Sequence, residues 1–147
     1  MTKMKVAFLL QDTRTLYGAE QATVRLVAGL AAAGVDVRVL LLRETRLGPG
    51  ASPLAEALAL NVAEEAAVTA AMQDIAARHG GIDILINNAG IHSAEGAQPI
   101  GVMGLARSRQ MFEVNVWGVI QCTLAAAPYM AGRAGAAIVN ISSMASY

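Results

Sequence analysis

The chain holds 147 residues, 55% of them hydrophobic and 15% charged, with eleven basic side chains against eleven acidic ones. That length suits one domain with a real core, and zero formal net charge with no basic patch or acidic tail argues against a nucleic-acid partner. The lone cysteine, Cys122, excludes an internal disulfide, makes a cysteine metal site a poor fit and agrees with a reducing, cytoplasmic setting.

Gln11 and Asp12 end the first apolar run at once, so MTKMKVAFLL is too short for a signal peptide. Val6 to Leu10 instead predicts a buried strand of a parallel sheet. Gln11 to Tyr17 reads as a polar loop. Gly18 to Ala33 has helical spacing at Val24, Val27, Leu30 and Ala31, and Gly34 suits its C-cap. Val35 to Leu42 predicts a second strand, and the order strand, helix, strand favours a right-handed crossover.

LGPGASP, Leu47 to Pro53, is the clearest break. Leu54 to Val62 admits a helical turn feeding a short strand, Ala57 to Leu60. Glu64 to His79 predicts a helix ending at Gly80, and Ile82 to Ile86 a strand. Asn87 to Gly104 is loop-like, with Pro99 inside it. Leu105 to Met130 predicts a long buried helix, weakened at Gly118 and closed near Pro128. Its apolar part holds Asn115, Gln121 and Pro128 and falls short of the roughly 20 apolar residues of a membrane span, so no membrane contact is expected. Ala137 to Ile141 is the last strand. The expected fold class is therefore α/β: a Rossmann-like three-layer sandwich, helices on both faces of a mostly parallel sheet of about five strands, over residues 1–147 as one domain.

Asn87-Asn88-Ala89-Gly90 follows a strand directly, and ligands bind at the carboxyl ends of strands in open α/β sheets. Small residues admit close backbone approach, and the asparagines offer donors and acceptors. The same four residues also suit a plain strand-end turn. Ser142 and Ser143 stand at another strand end, where a serine either polarises a carbonyl or caps the next turn. Asn115, polar within an apolar helix, is either a satisfied buried amide or a holder of a water or a backbone carbonyl near a site. His79 suits the negative end of a helix dipole, His92 lies in a loop, and the pair lacks the carboxylate partner of a metal site.

DILINNAG (Asp83 to Gly90), FEVNVWG (Phe112 to Gly118) and IVNISS (Ile138 to Ser143) together resemble the short-chain dehydrogenase/reductase family over residues 60–147. The resemblance implies that Asn88, Ala89 and Gly90 line a cleft for NAD or NADP. It implies that Asn115 is the catalytic-tetrad asparagine supporting a proton-relay water, and that Ser143 positions the substrate carbonyl or hydroxyl. Asn61 falls where the family usually has an aspartate contacting the adenine ring. The family's tyrosine and lysine would fall after Tyr147, which itself stands too close to Ser143 to substitute.

The family's glycine-rich first turn is replaced here by LLQDTRTLYGAEQ, whose one glycine is Gly18. Close approach of a pyrophosphate needs more than that. Residues 5–58 instead resemble the start of a GT-B retaining glycosyltransferase, in the Gly18-Ala19-Glu20 helix start and the following AGLAAAGVDVRVLLL. There Gly18 would let the loop approach a ligand. The combined reading is a chimera or truncated fragment with a family junction near residues 54–62. It would be a non-catalytic scaffold, at most a weak dinucleotide binder. The alternatives are an inactive fragment of an NAD(P)-dependent short-chain oxidoreductase and a glycosyltransferase-related fragment binding a nucleotide-sugar or an acceptor. An open edge at Ala137 to Ile141 and the apolar Leu105–Met130 helix predict a homo-oligomer.

Overall fold

The computed structural model describes residues 5–10, 25–26, 28–30, 32–34, 36–41, 55–57, 60–91 and 100–142. Within them run β1 (Lys5–Leu10), β2 (Asp36–Leu41), β3 (Ala55–Ala57), α1 (Glu65–His79), β4 (Ile84–Asn87), α2 (Ile100–Met103), α3 (Leu105–Phe112), a π-helical turn (Glu113–Trp117), α4 (Gly118–Met130) and β5 (Ala137–Asn140). Residues 25–26, 28–30 and 32 are helical too. The expected loops Gln11 to Tyr17 and Leu47 to Pro53 lie outside the described residues, as do Gly18, His92, Ser143 and Tyr147.

The strands form one sheet in the order β3-β2-β1-β4-β5, every pairing parallel. β1 is the hinge of this order: Val6 stands opposite Val37 on one side and Ile84 on the other. The stretch likened to a glycosyltransferase and the stretch likened to a dehydrogenase therefore share one hydrogen-bonded sheet, and the expected junction near residues 54–62 is no seam. The third strand is Ala55–Ala57, paired with Val39 to Leu41; of the expected strand Ala57 to Leu60, residues 58–59 lie outside the described residues. The alternation in LAEALALNV satisfies either position.

α1 follows the expected bounds. Glu65 lies in its first turn and Arg78 and His79 in its last, charges that complement the helix dipole. Gly80 ends it in the left-handed conformation, its N–H donating to the Ala76 carbonyl. The core lies where α1 and α4 pack on each other and α4 on β4. Val68, Met72 and Ile75 meet Leu85, Cys122, Ala126 and Met130, with Leu60, Val62 and Ile82 closing the cluster. Gly118, read in the sequence as a weak point, is what lets α4 come so close: a Cβ there would stand 2.7 Å from Val62 Cγ2.

Two deviations concern the segments around the site. Residues 100–103, expected as loop, form the short helix α2. The long helix is not uniform. Its N–H bonding widens from Glu113 onward, so that Gly118 N–H donates to the Glu113 carbonyl, and such π turns gather at functional sites. No described helix is long and apolar enough to cross a membrane.

Candidate functional site

The site stands at the carboxyl ends of the parallel strands. β4 ends in Asn87, and the chain continues through Asn88, Ala89, Gly90 and Ile91. Asn88 and Ala89 are half-buried and Gly90 is exposed. A step this poor in side-chain bulk, lying open beyond a strand end, fits the close backbone approach that a dinucleotide requires.

Asn87 and Asn115 hold that step from opposite ends. Asn87 is buried, 4% exposed. Its Nδ2 donates to Asn140 Oδ1 at 2.9 Å and to Thr123 Oγ1 at 3.2 Å. Its carbonyl accepts the Ile141 N–H at 2.9 Å. One side chain therefore joins β4, β5 and α4 immediately beneath the loop. Asn115 reaches across from the π turn: Nδ2 donates to the Ile91 carbonyl at 2.8 Å, and Oδ1 accepts the Ile91 N–H at 2.7 Å. Of its two sequence-based roles the structure takes the second, holding a backbone carbonyl, and Asn115 does so from an exposed position.

Asn61 stands after β3, between the buried Leu60 and Val62. Its Oδ1 accepts the Ala63 N–H at 3.1 Å and its Nδ2 donates to Glu64 Oε1 at 3.0 Å. β3 and β4 are separated by β2 and β1, a span of about 14 Å at the usual strand spacing. Asn61 and the Asn88–Gly90 step thus mark two ends of one sheet edge. Gly18 and Ser143 lie outside the described residues.

The opposite edge of the sheet carries a charged latch. Arg133 Nε donates to Asp83 Oδ1 at 2.5 Å and its Nη1 to the Gly80 carbonyl at 3.0 Å. Gly81 lies beneath, at φ +123°, and a Cβ there would run into the guanidinium. Burial pushes the Cys122 thiol in the core up from its ordinary 9.0 to about 12, so it stays protonated at neutral pH. Among the described residues no cluster of three or more potential metal-ligating side chains occurs.

The Asn87–Asn140–Thr123 cluster and the partner of the Asn115 clamp, Ile91, are absent from the sequence-based expectations. The cluster had a readable signal: β4 and β5 both end in asparagine, and the two residues stand opposite each other in the parallel register. The clamp had none, because a π turn sets the direction of Asn115.

Against known proteins, the sequence profile described as short chain dehydrogenase matches residues 18–147. The chain is 37% identical over 84 residues to cis-4-hydroxycyclohexanecarboxylate dehydrogenase of Sinomonas cyclohexanicum, covering 57% of this chain and 33% of that protein. It is 35% identical over 88 residues to the NAD(+) 2-dehydro-3-deoxy-L-rhamnonate dehydrogenase of Sphingomonas sp. (strain SKA58), covering 60% and 34%. Ligand-free aldohexose dehydrogenase of Thermoplasma acidophilum superposes with a TM-score of 0.75 at 27% identity, over 97% of this chain and 50% of that one. The chain thus spans about a third to a half of the length of these relatives.

These findings correct the two-family reading. One family's profile runs through the supposed junction and takes in the Gly18-Ala19-Glu20 helix start, and one dehydrogenase fold accounts for nearly the whole chain. Neither a chimera nor a glycosyltransferase-related binder is supported. The expectations of a non-catalytic scaffold and of an inactive fragment, which rested on the missing tyrosine and lysine and on the nonstandard first turn, are corrected by the dehydrogenase profile over residues 18–147 and the dehydrogenase fold over 97% of the chain.

Proposed function

The chain belongs to the short chain dehydrogenase family, and on that premise we propose that it is an NAD(P)-dependent oxidoreductase acting on an alcohol or carbonyl substrate. The frame for this activity is a single Rossmann-like domain over residues 1–147, with helices on both faces of a five-stranded sheet, working in the cytoplasm. The observation that carries the reading is the Asn88–Gly90 step at the end of β4, anchored below by Asn87 and clamped through Ile91 by Asn115.

NAD(P) supplies the hydride chemistry when bound. Asn88, Ala89 and Gly90 give the cofactor a closely approachable backbone, and Asn61 meets its adenine end. Asn115 holds the loop in register, a precondition for catalysis because misplacement by an ångström costs rate. The dipole of the Ser143 hydroxyl orients the substrate oxygen.

The test is an amide-resolved NMR titration of the chain with NADH and NADPH, followed by absorbance assays of NADH consumption over a panel of ketones and aldoses. Saturable shifts at Asn88 to Ile91 are expected from this chain, while turnover requires the tyrosine and lysine that the family resemblance places after Tyr147. Unchanged spectra with either dinucleotide would sink the proposal.

A further inference from the structure

β4 and β5 run side by side as far as Asn87 and Asn140, the last pair of their register, and then leave the sheet. One continues into the Asn88–Gly90 step, the other through Ile141 to Ser142. The backbone bond at this fork runs from the Ile141 N–H to the Asn87 carbonyl at 2.9 Å.

The Asn87 side chain, buried at 4% exposure, adds two further bonds at the same point. Its Nδ2 carries two protons. One bond crosses the sheet to Asn140 Oδ1 at 2.9 Å, and the other leaves the strand layer for Thr123 Oγ1 at 3.2 Å. A single acceptor would let the amide turn about that one bond. A second acceptor, in another layer, fixes its plane. Thr123 belongs to α4, which packs on β4, and its neighbour Cys122 is buried in the core. Asn115, earlier in the same helical run, holds Ile91 at the far end of the step. One helical run therefore anchors both ends of Asn88–Gly90, below through Thr123 and Asn87 and above through Asn115. Packing alone does not call for a threonine here, because valine has nearly the same shape. Valine lacks the acceptor, and in its place one proton of the buried Asn87 amide would go unpaired.

We propose that Thr123 is a positioning residue: through the Asn87 amide, its hydroxyl keeps the Asn88–Gly90 step and the Ile141–Ser142 end of β5 in fixed register for the dinucleotide. The inference rests on the cofactor reading given above and adds to it a residue that touches neither cofactor nor substrate.

The experiment compares the 147-residue chain with Thr123→Val and Thr123→Ser by amide-resolved NMR, hydrogen exchange and NADH titration. Valine keeps the bulk and removes the acceptor, whereas serine keeps the acceptor and removes the methyl group. Thr123→Val should shift the Asn87 side-chain amide resonances, speed exchange at the Ile141 amide about 10-fold and weaken NADH binding about 3- to 10-fold, the worth of one neutral hydrogen bond. Thr123→Ser should stay within about 2-fold of the unaltered chain on both counts. A purely packing role predicts the reverse order, with serine impaired and valine intact. That order, or equal NADH affinity in all three chains, overturns this inference while the cofactor reading stands. No NADH binding by the unaltered chain overturns both.

Discussion

Asn115 closes on the backbone of Ile91 at both ends of its amide, 2.8 Å from the carbonyl and 2.7 Å from the N–H. Twenty-four positions separate the two residues, so the bond ties the long helix to the loop after β4 across the mouth of the site. Asn115→Ala leaves both Ile91 groups to water. Because the pair is exposed, the stability loss should be about 1 kcal/mol, whereas the loop should lose its fixed geometry. Hydrogen exchange would register this as faster exchange at the Ile91 amide with the α1 amides unchanged. Equal rates in the variant would mean that the loop holds itself.

Gly118 packs directly against Val62 in the core. A Cβ on Gly118 would stand 2.7 Å from Val62 Cγ2 and 3.4 Å from the Val62 carbonyl oxygen. Alanine at 118 gains about 1 kcal/mol in helix propensity, but overpacking costs about 1–3 kcal/mol. We expect Gly118→Ala to be net destabilising by about 1 kcal/mol, and Gly118→Ala with Val62→Ala to recover part of that loss. Urea unfolding of the two variants checks it; a more stable Gly118→Ala would show that Val62 has room to move.

Much of this architecture is written in local sequence. Glu64 to Gly80 carries its own start charge, apolar spacing and terminal glycine, and α1 forms within one residue of the expected bounds. ILIN and AIVN are short apolar runs bounded by polar turns and appear as β4 and β5. What local sequence lacks is pairing information. KVAFLL and DVRVLL fit the opening of several strand–helix–strand folds equally well, because all bury the same apolar pattern. Only the pairing of β1 with both β2 and β4 shows that one fold uses them together. The candidate site divides in the same way. Asn88 to Gly90 is visible as a strand-end motif, whereas the fixing of Asn61 by Glu64 and the aim of Asn115 depend on a turn and a π bulge that no periodicity encodes.

The Asp83–Arg133 pair stands at the base of β4, with Asp83 8% exposed. Removing the guanidinium by Arg133→Leu leaves a mostly buried carboxylate and frees the Gly80 carbonyl. Fully buried pairs lose about 3–5 kcal/mol on such a change; partial exposure of both partners reduces this to about 1–2 kcal/mol. A double-mutant cycle with Asp83→Asn should return a favourable coupling energy. Additive effects would reduce the latch to independent surface contacts.

Cys122, 1% exposed, should resist thiol reagents in the native state and react at once in urea. Its thiol is pushed from 9.0 to about 12 by burial, so the folded chain holds this proton where the unfolded chain releases it. The resulting stability is fully present below pH 9 and is lost as the pH rises towards 12, at up to about 1.4 kcal/mol per pH unit. Cys122→Ala should flatten this part of the pH profile while lowering stability at neutral pH through the lost packing. A profile equally steep in Cys122→Ala would assign the alkaline loss to other groups.

Phe112, Val116, Ile120 and Leu124 recur at every fourth position and are 64%, 42%, 40% and 68% exposed. A row of this kind is a common basis for a two-fold contact, because the same stripe serves both copies. β5 is the other candidate surface, the outermost strand among the described residues, with Ile138 and Val139 about 40% exposed. The helix row is longer and more exposed, and its backbone is already bonded, so joining it requires only apolar burial. We therefore expect concentration-dependent dimerisation by light scattering that Leu124→Glu abolishes and Ile138→Lys does not. The reverse pattern would assign association to the sheet edge, and a monomer at the highest concentrations would remove both surfaces from consideration.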